Sequence, residues 1–222
     1  MQNNKIALVA GATGLIGKLL LKKLASDSYY QEIITVSRRE LTGDQPEKVR
    51  NIVADFDNPG SFSLPKVDDV FCCLGTTMRK AGSREAFYKV DFTYPVTLAE
   101  LTKNLGASKY LIVTALGADK DSKIYYNRVK GEVEGALAKI GFTSLFILRP
   151  SLLLGARVEK RPGERLAQIL SEKLAFLFFG PFKAYKAIEA EKVAGAMVSL
   201  AKTDQQGINV ISSSEIAKIS MS

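Results

Sequence analysis

The stretch Val9-Ala10-Gly11-Ala12-Thr13-Gly14-Leu15-Ile16-Gly17 decides the fold. It joins an apolar run, Lys5–Ala10, to an amphipathic stretch, Gly14–Ala25, in which Leu15, Ile16, Leu19 and Leu20 recur at helical spacing. Strand, glycine loop and helix in that order form a cradle for a diphosphate. The glycines fall at G-x-x-G-x-x-G spacing, and each has a task. Gly11 permits a turn too tight for a side chain, Gly14 lets the backbone approach a pyrophosphate, and Gly17 lets helix and strand pack closely. Free N–H groups and the dipole at the helix start favour phosphate charge. Gly11, Thr13, Gly14, Leu15, Ile16 and Gly17 are therefore the first candidate cofactor-binding residues.

Outward from this loop the same alternation continues. The runs Glu32–Ser37, Asn51–Ala54, Asp69–Leu74, Lys109–Ala115 and Thr143–Leu148 are apolar at consecutive positions, the signature of strands covered on both faces. Between and after them, Ser83–Leu105, Ser122–Ile140 and Ala190–Lys202 read as helices, with Ser83 as an N-cap and Gly141 as a C′ residue. The pattern predicts an α/β, doubly wound parallel sheet of Rossmann-like type, helices on both faces, and a small irregular C-terminal substrate region. The 222 residues fit one dinucleotide-binding domain, with residues 151–188 as its substrate or lid region. Within that region Arg157–Lys186 carries Phe176, Phe178, Phe179 and Phe182 among lysines and arginines. It reads either as a lid or contact surface, or as a helix packing its Phe face with the lysines in water.

Composition excludes several chemistries. There is no histidine, so no Ser-His-Asp triad, no Cys-His dyad and no imidazole metal site. Cys72 and Cys73 are adjacent in a predicted strand, where a bond between them would be strained, and two thiolates alone do not make a metal centre. No metal is expected. Reduced cysteines point to a cytoplasmic chain. No apolar run reaches the roughly 18 residues of a membrane span. The net charge of +8 favours anionic ligands or is a solvated basic surface; nucleic-acid binding would rest on charge alone.

The second strand selects the dinucleotide. An acidic residue at its end would bind the adenosine ribose, but this strand ends Val36-Ser37-Arg38-Arg39. Arginine grips a 2′-phosphate in a forked contact that a carboxylate would repel. Ser37, Arg38 and Arg39 thus point to NADP (NADPH), with Arg38 the better placed arginine, and Asp55 sits where a side chain meets the adenine. Leu74, Gly75 and Thr76 follow the fourth strand, at the switch point where ligands bind.

With these stretches quoted, and with Tyr126-Asn127-Arg128-Val129-Lys130-Gly131-Glu132-Val133-Glu134 and Leu148-Arg149-Pro150 beside them, the sequence resembles the atypical short-chain dehydrogenase/reductase superfamily. More narrowly it is similar to the HTATIP2/TIP30-like group of NADPH-binding oxidoreductases. The resemblance implies a catalytic Tyr-x-x-x-Lys, matched by Tyr126 and Lys130, whose i,i+4 spacing also puts both on one helix face. A free phenol has a pKa of about 10, and a nearby ammonium favours its ionised form. Lys130 would also hold the nicotinamide ribose. A strand-end hydroxyl polarising the substrate carbonyl falls on Thr114, 12 positions before Tyr126. Similar proteins usually carry a second serine where Ala115 stands. Pro150 ends the sixth strand and turns the chain past the nicotinamide. Asp91, where similar proteins often carry a polar residue near the active site, reads as a solvated helix charge.

The function these residues imply is an NADPH-dependent oxidoreductase acting on a small-molecule carbonyl. The alternative is an NADP(H)-binding redox sensor or regulatory protein with little or no turnover, which the Ala115 departure favours. A nucleotide-sugar epimerase or dehydratase ranks last because the short chain leaves little room for the larger substrate domain such enzymes usually carry.

Overall fold

The computed structural model describes residues 4–154 and 187–220. Its strands are β1 (Lys5–Ala10), β2 (Tyr30–Ser37), β3 (Val49–Val53), β4 (Asp69–Cys72), β5 (Lys109–Val113), β6 (Ser144–Arg149), β7 (Leu153–Leu154), β8 (Ile188–Glu189) and β9 (Gly207–Ser212). Its helices are α1 (Leu15–Ser26), α2 (Met78–Ala81), α3 (Arg84–Tyr88), α4 (Tyr94–Asn104), α5 (Tyr125–Ala138), α6 (Ala190–Ala201) and α7 (Ser213–Ile219). Seven strands form one sheet in the order β3-β2-β1-β4-β5-β6-β9, with every neighbouring pair parallel. This is the doubly wound Rossmann-like arrangement expected from the alternation.

Consecutive apolar residues in the strands serve two cores. Val9, Phe71, Leu111 and Phe146 face α1 and α6, where Leu20, Leu24, Val193 and Met197 meet them. Their neighbours Leu8, Val70, Ile112 and Ile147 face the other way, toward Leu98 of α4 and Val133 and Leu137 of α5. A side chain every second position on each face is the period of a strand, so both faces must be apolar. Each such side chain contributes about 1.5–3 kcal/mol on burial.

The predicted strands and main helices are present, with three differences. The seventh strand β9, and α7 behind it, lie beyond the sequence reading; β9 is an edge strand whose Ile208 and Val210 stay exposed, so it lacks the continuous apolar run of a buried strand. Its polar start of helix, Ser212 with Glu215, makes a full capping box. The helix predicted over Ser83–Leu105 begins as expected, with the Ser83 side chain accepting from the Ala86 N–H at 3.1 Å, but it is not continuous. A π-helical turn, Lys89–Thr93, separates α3 from α4. Pro95 has no N–H to give to the Asp91 carbonyl, and the Tyr94 N–H instead reaches back five residues to Lys89.

The chain's order reverses at β1 and β4, whose carboxyl ends stand side by side with Ala10 opposite Cys72. The Cys73 N–H donates to the Ala10 carbonyl at 2.8 Å, so the loop after β4 lies against the glycine loop after β1. Leu153 and Leu154 pair in parallel with Ile188 and Glu189, closing the two ends of the region expected to be a lid. The Arg157–Lys186 segment itself lies outside the described residues. Among the described residues no helix is long and apolar enough to cross a membrane.

Candidate functional site

Everything converges on the carboxyl ends of β1, β4, β5 and β6. Gly11 takes φ +83, and a Cβ there would stand 2.6 Å from the Cys73 carbonyl carbon and oxygen. Only glycine lets the two loops meet so closely. At Gly17 a Cβ would stand 2.1 Å from the Gly11 carbonyl oxygen, so α1 is pressed onto the loop that precedes it. Gly14 is exposed and caps α1 with no side-chain bond, and no acidic residue occupies the first turn. A 12-residue helix therefore presents free N–H groups from a concave loop without side chains, a shape and charge that fit a dinucleotide's diphosphate. Thr13 is exposed and Leu15 half-buried, whereas the Ile16 side chain belongs to the core. Only the backbone of Ile16 is in a position to serve a ligand.

Beyond β2, Arg38 and Arg39 are exposed, and among the described residues neither is paired with a carboxylate. The Ser37 hydroxyl turns back onto the Arg39 carbonyl at 2.5 Å, folding the chain so that both arginines hang off the strand end. Asp55 closes a local turn, its Oδ1 accepting from the Asp57 N–H at 3.0 Å. That turn is fastened to the helical layer by Lys89–Asp57 at 2.9 Å and by Phe56 stacked on Tyr94.

The centre of the site is an ion pair. Lys130 Nζ lies 2.8 Å from Asp91 Oδ1, with side chains only 5% and 1% exposed. The other carboxylate oxygen, Oδ2, accepts from the Thr76 N–H at 2.8 Å. Asp91 is thus not the solvated helix charge that an amphipathic helix would suggest. The π turn rotates it inward, where it holds both Lys130 and the loop after β4. Gly75 lies against the pair, and a Cβ there would come 3.5 Å from Asp91 Oδ1 and 3.8 Å from Lys130 Nζ. Leu74 and Thr76 are half-buried and Gly75 is exposed. Burial works against the Lys130 ammonium, but the Asp91 carboxylate and then Tyr126 outweigh it, so its pKa lies above the ordinary lysine value. Lys130 keeps its proton throughout the physiological range.

Tyr126 stands one turn before Lys130 on α5, 36% exposed, its ring 5.7 Å from that of Phe87. Tyr125, the neighbouring phenol, is differently placed. Its hydroxyl donates to the Arg84 carbonyl at 2.9 Å, and its ring lies between Arg84 and Arg128. Gly131 fixes the helix that carries both. A Cβ there would stand 2.1 Å from the Lys120 backbone nitrogen, so α5 lies directly on the loop after β5. Glycine inside a helix costs about 1 kcal/mol relative to alanine. That unexplained cost was the available sign that something approaches α5 closely at this position.

Thr114 is brought to the end of β5, but its hydroxyl points to Glu134. The Thr114 Oγ1–H donates to Glu134 Oε1 at 2.7 Å, and both side chains are buried. Arg149 closes on the same carboxylate, with Nε at 3.1 Å from Oε1 and Nη2 at 2.5 Å from Oε2. Glu134 and Arg149 lie inside stretches singled out in the sequence, but with no partner assigned. Pro150 is buried and its carbonyl accepts from the Leu116 N–H at 2.9 Å, tying the ends of β5 and β6. Cys72 and Cys73 are free thiols, and burial pushes both up, away from a reactive thiolate.

Comparison with known proteins gives the family and the fold. Residues 11–153 match the family described as NAD(P)H-binding. Protein HTATIP2 of Rattus norvegicus is 38% identical over 169 residues, covering 74% of this chain and 69% of that protein. Protein FMP52, mitochondrial, of Eremothecium gossypii is 32% identical over 219 residues and covers 96% of both. Among solved structures, MoeE5 in complex with UDP-glucose and NAD superposes with a TM-score of 0.69 at 16% identity, covering 96% of this chain and 80% of that one. The human epimerase family protein SDR39U1 with NADPH gives a TM-score of 0.58 at 16% identity, covering 92% and 73%. These structures share the fold. The expectation of a cytoplasmic location does not stand, because the FMP52 relatives are named as mitochondrial proteins. Unbonded cysteines report reducing surroundings and carry no address. The chain belongs to the NAD(P)H-binding family, in which HTATIP2 and FMP52 are its relatives.

Proposed function

From that membership as premise, we propose that the chain is an NADPH-dependent reductase of small carbonyl compounds, with Tyr126 as proton donor and Lys130 as its electrostatic partner. The observation that carries the proposal is the buried Asp91–Lys130 pair, 2.8 Å apart, one turn from Tyr126 and against the loop at Gly75. The dinucleotide supplies the hydride when bound. The side chains do the rest. Lys130, held charged by Asp91, stabilises the phenolate left when Tyr126 gives its proton to the carbonyl oxygen. The same ammonium, beside Gly75, would hold the ribose hydroxyls of the nicotinamide half. Arg38 and Arg39 supply the positive charge that a 2′-phosphate requires.

Two substitutions test this. Tyr126→Phe is expected to lower carbonyl-dependent NADPH oxidation by about 10²–10⁴-fold while calorimetric binding of NADPH is kept. Arg38→Ala is expected to weaken NADPH by about 10–100-fold and NADH little. Equal weakening of both dinucleotides overturns the choice of NADPH. A specific observation favours a second reading, a cofactor-loaded sensor: the Thr114 hydroxyl is committed to Glu134 at 2.7 Å, and Ala115 stands where the resemblance implies a second hydroxyl. Tight cofactor binding with no turnover across a panel of aldehydes and ketones would establish that reading instead.

A further inference from the structure

Tyr126, Lys130 and Glu134 follow one another at i, i+4 and i+8 along one face of α5. The first two face the reacting groups in the reductase reading, and the third faces Thr114. A threonine hydroxyl has one proton to give and two lone pairs to offer. At Thr114 the polar neighbours among the described residues are the Glu134 carboxylate at 2.7 Å and the Leu148 carbonyl oxygen at 3.4 Å. Both only accept. The carboxylate is itself fixed from behind by the two Arg149 contacts, so it has no freedom to swing away. The proton of Thr114, a residue 5% exposed at the end of β5, is therefore held by Glu134, and what the hydroxyl can still offer is a lone pair.

We propose that Glu134 is a positioning residue that makes Thr114 a hydrogen-bond acceptor toward the site, so that the site prefers carbonyl compounds bearing a hydroxyl on the adjacent carbon. The proposal rests on the reductase reading. Tyr126 is then the one hydroxyl of the pair that donates to the carbonyl oxygen, and Thr114 accepts from the neighbouring substrate O–H. A plain ketone leaves Thr114 without a donor. This reverses the task expected of Thr114 from the sequence, where a strand-end hydroxyl polarises the carbonyl by donating to it.

The test uses 2-hydroxyacetophenone and acetophenone, which differ by one hydroxyl, with NADPH and the full chain. Wild type is expected to favour the hydroxyketone by about tenfold or more in kcat/KM, and Thr114→Val to bring that ratio near one. Thr114→Ser is expected to keep it. Glu134→Leu removes the acceptor and frees the Thr114 proton, so the preference is expected to fall and plain-ketone turnover to rise. A Thr114→Val variant that loses about 10²-fold or more on acetophenone itself shows that Thr114 donates to the carbonyl, and overturns the proposal. So does a wild-type ratio of one. A melting experiment checks the Thr114–Glu134 bond independently of any turnover. Thr114→Val is expected to lower Tm by about 3–10 °C beside Glu134, and by at most half as much in the Glu134→Leu background. An unchanged Tm overturns the proposal. Wild type inactive on every carbonyl defeats the reductase reading, whereas the melting shifts speak only to Thr114.

Discussion

Two aspartates are buried at opposite ends of the sheet, and each has lysines near it. At the carboxyl end, Asp91 Oδ2 accepts from the Thr76 N–H and Oδ1 is ion-paired with Lys130 Nζ, both at 2.8 Å. At the amino end, Asp69 opens β4 and is fully buried, and its Oδ2 accepts from the Tyr30 hydroxyl at 2.7 Å, with Lys5 Nζ at 3.7 Å. Among the described residues its Oδ1 has no hydrogen-bond partner. Lys109 is its neighbour across the sheet but gives its ammonium to the Ala201 and Thr203 carbonyls at the end of α6, at 2.7 and 2.5 Å. The consequences differ in sign. Burial pushes the Asp69 carboxyl up, and the donors around it do not bring it back; burial likewise pulls Lys109 down. Lys130, buried just as deeply, is held above its ordinary value because Asp91 touches it directly. The same two residue types give a firmly charged pair at one end and a reluctant charge at the other. What decides between them is whether the carboxylate meets its lysine at contact distance.

The largest effect expected from this contrast is at Lys130. Lys130→Ala leaves Asp91 buried and unpaired, and is expected to lower stability by about 3–5 kcal/mol in chemical denaturation and to abolish turnover. Adding Asp91→Leu to Lys130→Ala is expected to restore much of the stability and none of the turnover. A single variant no less stable than wild type would erase the difference between the two ends. The intermediate effect is at Asp69 and depends on pH. Its folded-state pKa lies above the unfolded one, so the folded chain binds more protons there, and stability falls as pH rises from near the ordinary carboxylate value of 3.8 through the raised folded value. Asp69→Asn, which still accepts from Tyr30, is expected to flatten that fall in melts taken from pH 4 to 7 while leaving NADPH affinity unchanged. A parallel pH slope in variant and wild type would show that Asp69 carries no strain from its charge. The smallest effect is at Lys5, partly exposed and 3.7 Å from Asp69. Lys5→Ala is expected to cost at most about 1 kcal/mol, and less in high salt. A larger, salt-insensitive loss would make Lys5 the true partner of Asp69 and bring the two ends closer in kind.

Much of this molecule was legible from spacing. The edges of β1 coincide with the apolar run Lys5–Ala10, and Ser83 caps the helix it was expected to cap. Gly11 and Gly17 are wedged where the loop pattern requires them to be. Other features were hidden for identifiable reasons. Asp91 lies on a stretch that reads as an ordinary amphipathic helix, and only the π turn before Pro95 brings its carboxylate inside. β9 is an edge strand, so half its residues face outward and its pattern is weak. Glu134 and Arg149 were visible as letters, but their pairing joins a helix to a strand 15 residues on, and Thr114 joins from 20 residues before.

The amino-acid order by itself determined the glycine loop between β1 and α1, the alternation of strand and helix, and the face of α5 shared by Tyr126 and Lys130. Each of these follows from backbone geometry over a few residues, where a glycine's missing Cβ or a fixed helical repeat leaves few choices. Only the tertiary structure decided which charges are buried and which atom each polar group addresses. Those outcomes depend on how helices rest on the sheet to within an ångström, and desolvation turns such small distances into large differences between one aspartate and another.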